Sequence, residues 1–143
     1  GAALEKLERY TEAIAAYDLV IGKQPDNFDA WLNRGLSLEK MANYEGAVFS
    51  YNQAISIWPS NYLAWSKLAF ILEELERYEE AITAYDQIVS LRPGNHQIWF
   101  QRGVILEKLG YVQEAVSSYN IVLQIKPDYQ KAIERKNKFK VPV

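Results

Sequence analysis

Apolar positions run along this chain in short helical bursts separated by small polar breaks. From Phe28 to Met41, Trp31, Gly35 and Leu38 fall three or four residues apart, on one stripe of a helix. Tyr44 to Ile57 follows with Ala47, Tyr51 and Ala54 on its inner face. The same alternation predicts helices over Tyr62–Leu75, Tyr78–Leu91, His96–Leu109 and Val112–Ile125. Turns such as Ala42-Asn43 and Glu76-Arg77 are short, which makes each pair antiparallel. At the start, Gly1–Glu8 reads as the end of a helix with Leu4 and Leu7 on its buried side, and Tyr10-Thr11 as a turn. A second helix is expected over Glu12–Gly22, carrying Ala13, Ile14, Tyr17, Val20 and Ile21 inward. Pro25-Asp26-Asn27 closes it, since proline cannot extend the helix before it.

The bursts repeat at a fixed interval. Pro25, Pro59, Pro93 and Pro127 are each 34 residues apart, and so are Trp31, Trp65 and Trp99. Gly35, Ala69 and Gly103 keep the same offset, as do Leu38, Leu72 and Leu106. Ala13, Ala47, Ala81 and Ala115 open the second half of each unit, and Tyr17, Tyr51, Tyr85 and Tyr119 follow four residues later. A constant period in the range of roughly 20–50 residues marks a solenoid, in which each unit hides its apolar face against its neighbours. Glycine in mid-helix costs about 1 kcal/mol relative to alanine, so Gly35 and Gly103 need a packing reason, and a close helix crossing supplies one.

This pattern resembles the tetratricopeptide repeat, from Gly1 to about Pro127. The departures are small: Tyr stands where that family often has Phe, Val20, Ile88 and Val122 replace a late Ala that Ala54 keeps, and Arg34 and Arg102 sit where Leu is usual. The resemblance implies an all-α fold, a right-handed superhelical solenoid of antiparallel helix pairs. The expected organisation is a repeat array over residues 1–127, with a partial repeat 1–27 and repeats 28–61, 62–95 and 96–127, then a capping helix and tail over 128–143. Because Gly1 takes the place of Gly35 and Gly103, its unit is expected to lack the start of its first helix, and a parent chain is expected before it. Asp128–Lys140 is basic, with Lys131, Arg135, Lys136, Lys138 and Lys140, and is read as a solvated cap packing through Tyr129, Ala132, Ile133 and the Lys136 stem.

Composition narrows the function. Sixteen basic and 18 acidic residues leave a net charge of −2, which argues against a polyanion gripped by the whole surface, and no nucleic-acid partner is expected. Related helical repeats that read RNA have a period of 35, not the 34 found here. The chain has no cysteine, so disulfides and thiolate metal sites are ruled out. No apolar run reaches the roughly 18 residues a membrane helix needs, and the expectation is a soluble, cytoplasmic protein without a membrane partner. The one histidine, His96, has no ligand or catalytic partner at a suitable spacing, and no phosphate loop or nucleophile elbow occurs. A non-enzymatic chain without cofactor or metal is expected. The three repeating tryptophans are read as core, whereas Trp58 replaces the polar Gln24, Arg92 and Lys126 of other units and is read as partly exposed.

The resemblance implies a protein–protein interaction scaffold that takes a partner's peptide or helix in a concave groove lined by the first helix of each pair. Removing the stripe that faces the second helix leaves Leu32, Asn33, Leu36 and Glu39; Leu63, Lys67, Phe70 and Glu73; and Phe100, Gln101, Val104 and Glu107 as the groove. Leu36, Phe70 and Val104 form an apolar row, Asn33, Lys67 and Gln101 a polar one, and Glu5, Glu39, Glu73 and Glu107 an acidic one that would meet a partner's Lys or Arg. Some family members clamp the C-terminal carboxylate of chaperone peptides with Lys and Asn, but Leu32 and Leu36 stand at those positions here. Two alternatives stand beside the groove: self-assembly through the open N-terminal end, and a regulatory arm of a larger enzyme.

Overall fold

The computed structural model describes residues 2–139. Among these there are eight helices and no strand: α1 Ala2–Lys23, α2 Phe28–Lys40, α3 Tyr44–Ile57, α4 Tyr62–Glu74, α5 Tyr78–Leu91, α6 His96–Lys108, α7 Val112–Ile125 and α8 Gln130–Asn137. They fall in two compact units, Gly1–Leu75 with α1–α4 and Glu76–Val143 with α5–α8.

In the first unit, α2 and α3 form an antiparallel hairpin flanked by α1 and α4. Asn27, Asn43 and Asn61 cap α2, α3 and α4, each side chain accepting from a backbone N–H three residues on. The hairpin turns on Ala42 at φ 60°, and the Asn43 N–H returns to the Leu38 carbonyl at 2.8 Å. In the second unit, α6 and α7 form the equivalent hairpin on Gly110 at φ 84°, flanked by α5 and α8. Ala132 of α8 is buried with Phe100, Leu106, Ala115, Tyr119 and Val122, Tyr129 packs against that cluster, and Ile133 and Lys136 are half-buried. Lys140, expected within that helix, lies outside the described residues.

The N-terminal expectation fails. Residues 2–23 form one continuous helix with no turn at Tyr10-Thr11, no residue of α1 is buried, and Leu4 and Leu7 are exposed. The tetrapeptide Leu7-Glu8-Arg9-Tyr10 recurs identically at Leu75-Glu76-Arg77-Tyr78, where the chain does turn, with Glu76 at φ 56°. A left-handed non-glycine residue costs roughly 1–2 kcal/mol. At Glu76 the preceding helix α4 buries Leu68, Ala69, Ile71 and Leu72. In α1 no residue is buried, so no packing offsets such strain there, and helix propensity carries the helix straight on.

The tryptophan expectation is also corrected. Trp31, Trp65 and Trp99 are half-buried, because each indole has a polar edge to place. Their Nε1–H groups donate to the carbonyls of Pro25, Pro59 and Pro93 at 2.9, 2.6 and 2.7 Å, tying each connecting loop to the helix that follows it.

Tyr51 and Tyr119 are the largest wholly buried side chains. Each lies against a glycine of the partner helix: a Cβ built on Gly35 would come 2.5 Å from the Tyr51 ring, and one on Gly103 would come 2.5 Å from the Tyr119 ring. The Tyr51 hydroxyl donates to Glu39 at 2.7 Å, and the Tyr119 hydroxyl donates to Glu107. Burial first, and the carboxylate acceptor second, raise both phenols above their ordinary value of 10.0.

Two outcomes follow. Replacing Gly103 by Ala gains about 1 kcal/mol of helix propensity but overpacks the ring, at about 1–3 kcal/mol. Urea unfolding should therefore show Gly103→Ala less stable than the parent, and a stabilised variant would contradict the ring-in-notch packing. The raised phenols bind their protons more tightly in the fold than in the unfolded chain. Their contribution is intact below pH about 10, where unfolded tyrosine begins to ionise, and declines as pH rises above it. Urea midpoints measured from pH 8 to 11 should fall more steeply for the parent than for Tyr51→Phe/Tyr119→Phe.

Candidate partner-binding site

Arg34 and Arg102 turn a departure from the repeat pattern into a clasp. Arg34 on α2 donates from Nε to Asp18 on α1 at 2.7 Å and from Nη1 to Ser50 on α3 at 2.7 Å, with its guanidinium 5.9 Å from the Trp31 ring centroid. Arg102 makes the same contacts with Asp86 on α5 and Ser118 on α7, both at 2.7 Å, and lies 5.8 Å from the Trp99 centroid. Ser50 and Ser118 are fully buried, and no buried side-chain nitrogen or oxygen among the described residues lacks a partner.

The clasp residues are spaced by two repeats: 102 − 34, 86 − 18 and 118 − 50 are all 68. The intervening positions hold Asn52, Leu68 and Ala84. The chain is therefore a tandem of two related modules, each two repeats long, and each compact unit contains one complete clasp. Sequence reasoning noted the two arginines but missed their partners, although the shared interval of 68 was available as a signal.

The twelve residues expected to line a groove divide sharply. Leu32 and Phe100 are buried, with Phe100 packed against Tyr119 and Tyr129. Asn33, Leu36, Lys67 and Val104 are half-buried, and Gln101 is exposed. Three of the four glutamates of the acidic row are engaged within the chain, and Glu5 is exposed on α1. Glu39 accepts from Tyr51; Glu107 accepts from Tyr119 and pairs with Arg135 at 3.2 Å; Glu73 has an interaction of its own. Glu39 and Glu107 serve the fold first, because a buried phenol requires an acceptor.

The apolar residues of the twelve that stay outward are Leu63 and Phe70 on α4, 49% and 50% exposed, with the half-buried Lys67 between them. Spacings of four and three residues put all three on one helix face. In the second unit the positions 68 residues later are Lys131, Arg135 and Lys138. There, α6 and α8 enclose a recess of about 460 Å³ lined by Phe100, Lys131, Glu134, Arg135 and Lys138. A smaller recess of about 320 Å³ shares Phe100 and Lys131 and adds Gln97, Ile98, Gln101 and Tyr129. The same scaffold thus presents an apolar face in one unit and a basic one in the other. No group of three or more metal-ligating side chains occurs among the described residues, and no helix among them is long and apolar enough to cross a membrane.

No curated protein matches the chain in sequence. Among solved structures, MamA aligns over 90% of this chain and 75% of its own at 19% identity, with a TM-score of 0.76. YrrB, described as a TPR protein with an unusual peptide-binding site, aligns over 96% of this chain and 69% of its own at 23% identity, with a TM-score of 0.77. The first TPR of Spaghetti (RPAP3), bound to the HSP90 peptide SRMEEVD, aligns over 78% of this chain and 88% of its own at 21% identity, with a TM-score of 0.65. At these identities the likeness is one of fold. Residues 28–61 and 66–130 each match a sequence profile of the Tetratricopeptide repeat. With those profiles covering most of its length and its helices paired as the repeat demands, the chain belongs to the tetratricopeptide repeat family.

Proposed function

We propose that the chain is a protein–protein interaction scaffold and that α4 takes a short segment of a partner protein along the stripe Leu63, Lys67 and Phe70. The observation that carries this reading is the two-sided apolar character of α4. One side buries Ala64, Leu68, Ala69, Ile71 and Leu72. Leu63 and Phe70 lie half-exposed elsewhere on the same helix. A surface helix ordinarily turns a polar face outward, so an outward Leu–Phe pair serves contact rather than folding. A segment with apolar residues three or four apart would cover the pair, and an acidic residue on it would meet Lys67. The acidic row no longer supports a basic partner at the groove, because Glu39 and Glu107 are tied to their own tyrosines. Peptide binding by YrrB and by the RPAP3 repeat supports the class of partner, and the acidic SRMEEVD peptide is in keeping with the charge expected of it.

Panning a displayed library of random dodecapeptides against the full chain tests the proposal. Enriched peptides should combine spaced apolar residues with Asp or Glu. They should bind Phe70→Glu at least about 30-fold more weakly, the loss of a hot spot of about 2 kcal/mol. Phe70→Glu should keep the parent's thermal midpoint within a few degrees, since the ring is half in water. Peptides that bind parent and variant alike would remove α4 as the site.

A further inference from the structure

The first module carries two exposed aromatics that the second lacks. Phe49 and Trp58 are 53% and 50% exposed, and the residues 68 positions later are Ser117 and Lys126. Each leans edge-on against a ring of α2: Phe49 against Trp31 with centroids 5.8 Å apart, and Trp58 against Phe28 at 5.2 Å. Phe28 and Trp31 are one turn apart on α2, so the two edge-on ring pairs follow one another along that helix. None of these contacts involves the α4 stripe.

Acidic residues border these rings. Asp26 and Asp29 flank Phe28 and are exposed, whereas the second module has Gly94 and Gln97 there. Over 23–29 and 56–61, Lys23 against Asp26 and Asp29 leaves a charge of −1. Over the matching 91–97 and 124–129, Arg92 and Lys126 against Asp128 leave +1.

The second module also shows what suits this place. Lys126, in the position of Trp58, holds its ammonium 5.7 Å from the Tyr129 ring centroid. His96, in the position of Phe28, meets that ring edge-on at 4.9 Å. The second module thus supplies its own cation to an aromatic at this corner, whereas the first presents Phe28 and Trp58 beside Asp26 and Asp29, its Arg34 lying instead over the Trp31 ring. Cations are attracted to the faces of such rings, most strongly to tryptophan.

We propose that the rings of Phe28, Trp31, Phe49 and Trp58 form a second docking surface, and that it takes a cationic segment of a partner protein in which Arg or Lys alternates with apolar residues. The guanidinium or ammonium groups sit on the Trp58 and Phe49 faces within reach of Asp26 and Asp29, and the apolar residues cover the ring edges.

The test uses the full chain and a capped octapeptide of alternating Arg and Leu, with citrulline in place of Arg as the neutral control. The triple variant Asp26→Gly, Asp29→Gln and Trp58→Lys carries the residues the second module already accommodates, so its fold should survive. The readout is the indole N–H resonance of Trp58, with dissociation constants from the titration measured on parent and variant by thermophoresis. A saturable shift of that resonance with the Arg peptide is expected. Binding should weaken at least tenfold for the citrulline peptide and at least tenfold for the triple variant. Equal binding of both peptides, undiminished binding to the variant, or no saturable shift would overturn the proposal. A Trp58 resonance that moves with protein concentration alone would assign the face to a second copy, and would overturn it too.

Discussion

One side chain holds each central hairpin together. Tyr51 and Tyr119 reach from the second helix of their pairs into a notch left by Gly35 or Gly103 on the first, and end on a carboxylate one helical turn beyond that glycine. A glycine and a glutamate four residues apart share a helix face, so the notch and the acceptor come as a set. The ring sets how closely the helices approach, and the hydroxyl fixes their register. Leaving the hydroxyl unmade in a dry core would cost about 1–3 kcal/mol, which is why the glutamate is not at liberty to serve another purpose.

The other recurrent contacts build outward from that hairpin. Arg34 and Arg102 occupy the residue just before the notch and extend the tie to a third helix, through Asp18 or Asp86 on one side and Ser50 or Ser118 on the other. The tryptophans secure the connecting loops through their indole N–H groups. Because these ties consume the inward-facing polar groups, functional chemistry is left to positions that no tie uses. Those are the positions at which the modules differ: Leu63 and Phe70 against Lys131 and Lys138, Phe49 and Trp58 against Ser117 and Lys126. The shared scaffold thus carries outer residues of different chemistry in its two modules.

Much of this was legible in the sequence. The period of 34 and the helix spans from Phe28 to Ile125 needed only apolar spacing and turn residues. The identical Leu-Glu-Arg-Tyr segments show where such reading stops: they turn at residue 76 and stay helical at residue 8, so packing on the preceding residues decides, not the tetrapeptide. The internal partners of Glu39 and Glu107 in the acidic row are hidden for a related reason. These glutamates repeat with the same period as the tyrosines, and a buried phenol's need for an acceptor was the clue that joins them across two helices. The tryptophans were assigned by their apolar bodies alone, while the proline six residues earlier in each unit marked the carbonyl for the indole N–H. Which groove residues stay exposed depends on whether a following helix covers them. Phe100 is covered by Tyr129 of the segment leading into α8, a contact between elements that spacing within one helix cannot reveal.

A double-mutant cycle on the hairpin of the first unit tests the central claim most directly. Tyr51→Phe, Glu39→Met and the double variant would be compared by urea unfolding. A coupling of about 1–2 kcal/mol, with the double variant much less destabilised than the two single losses added together, is the result expected of a buried phenol and its acceptor. Simple additivity would mean that the hydroxyl and the carboxylate do not depend on each other, and that the hairpin is held by apolar packing alone.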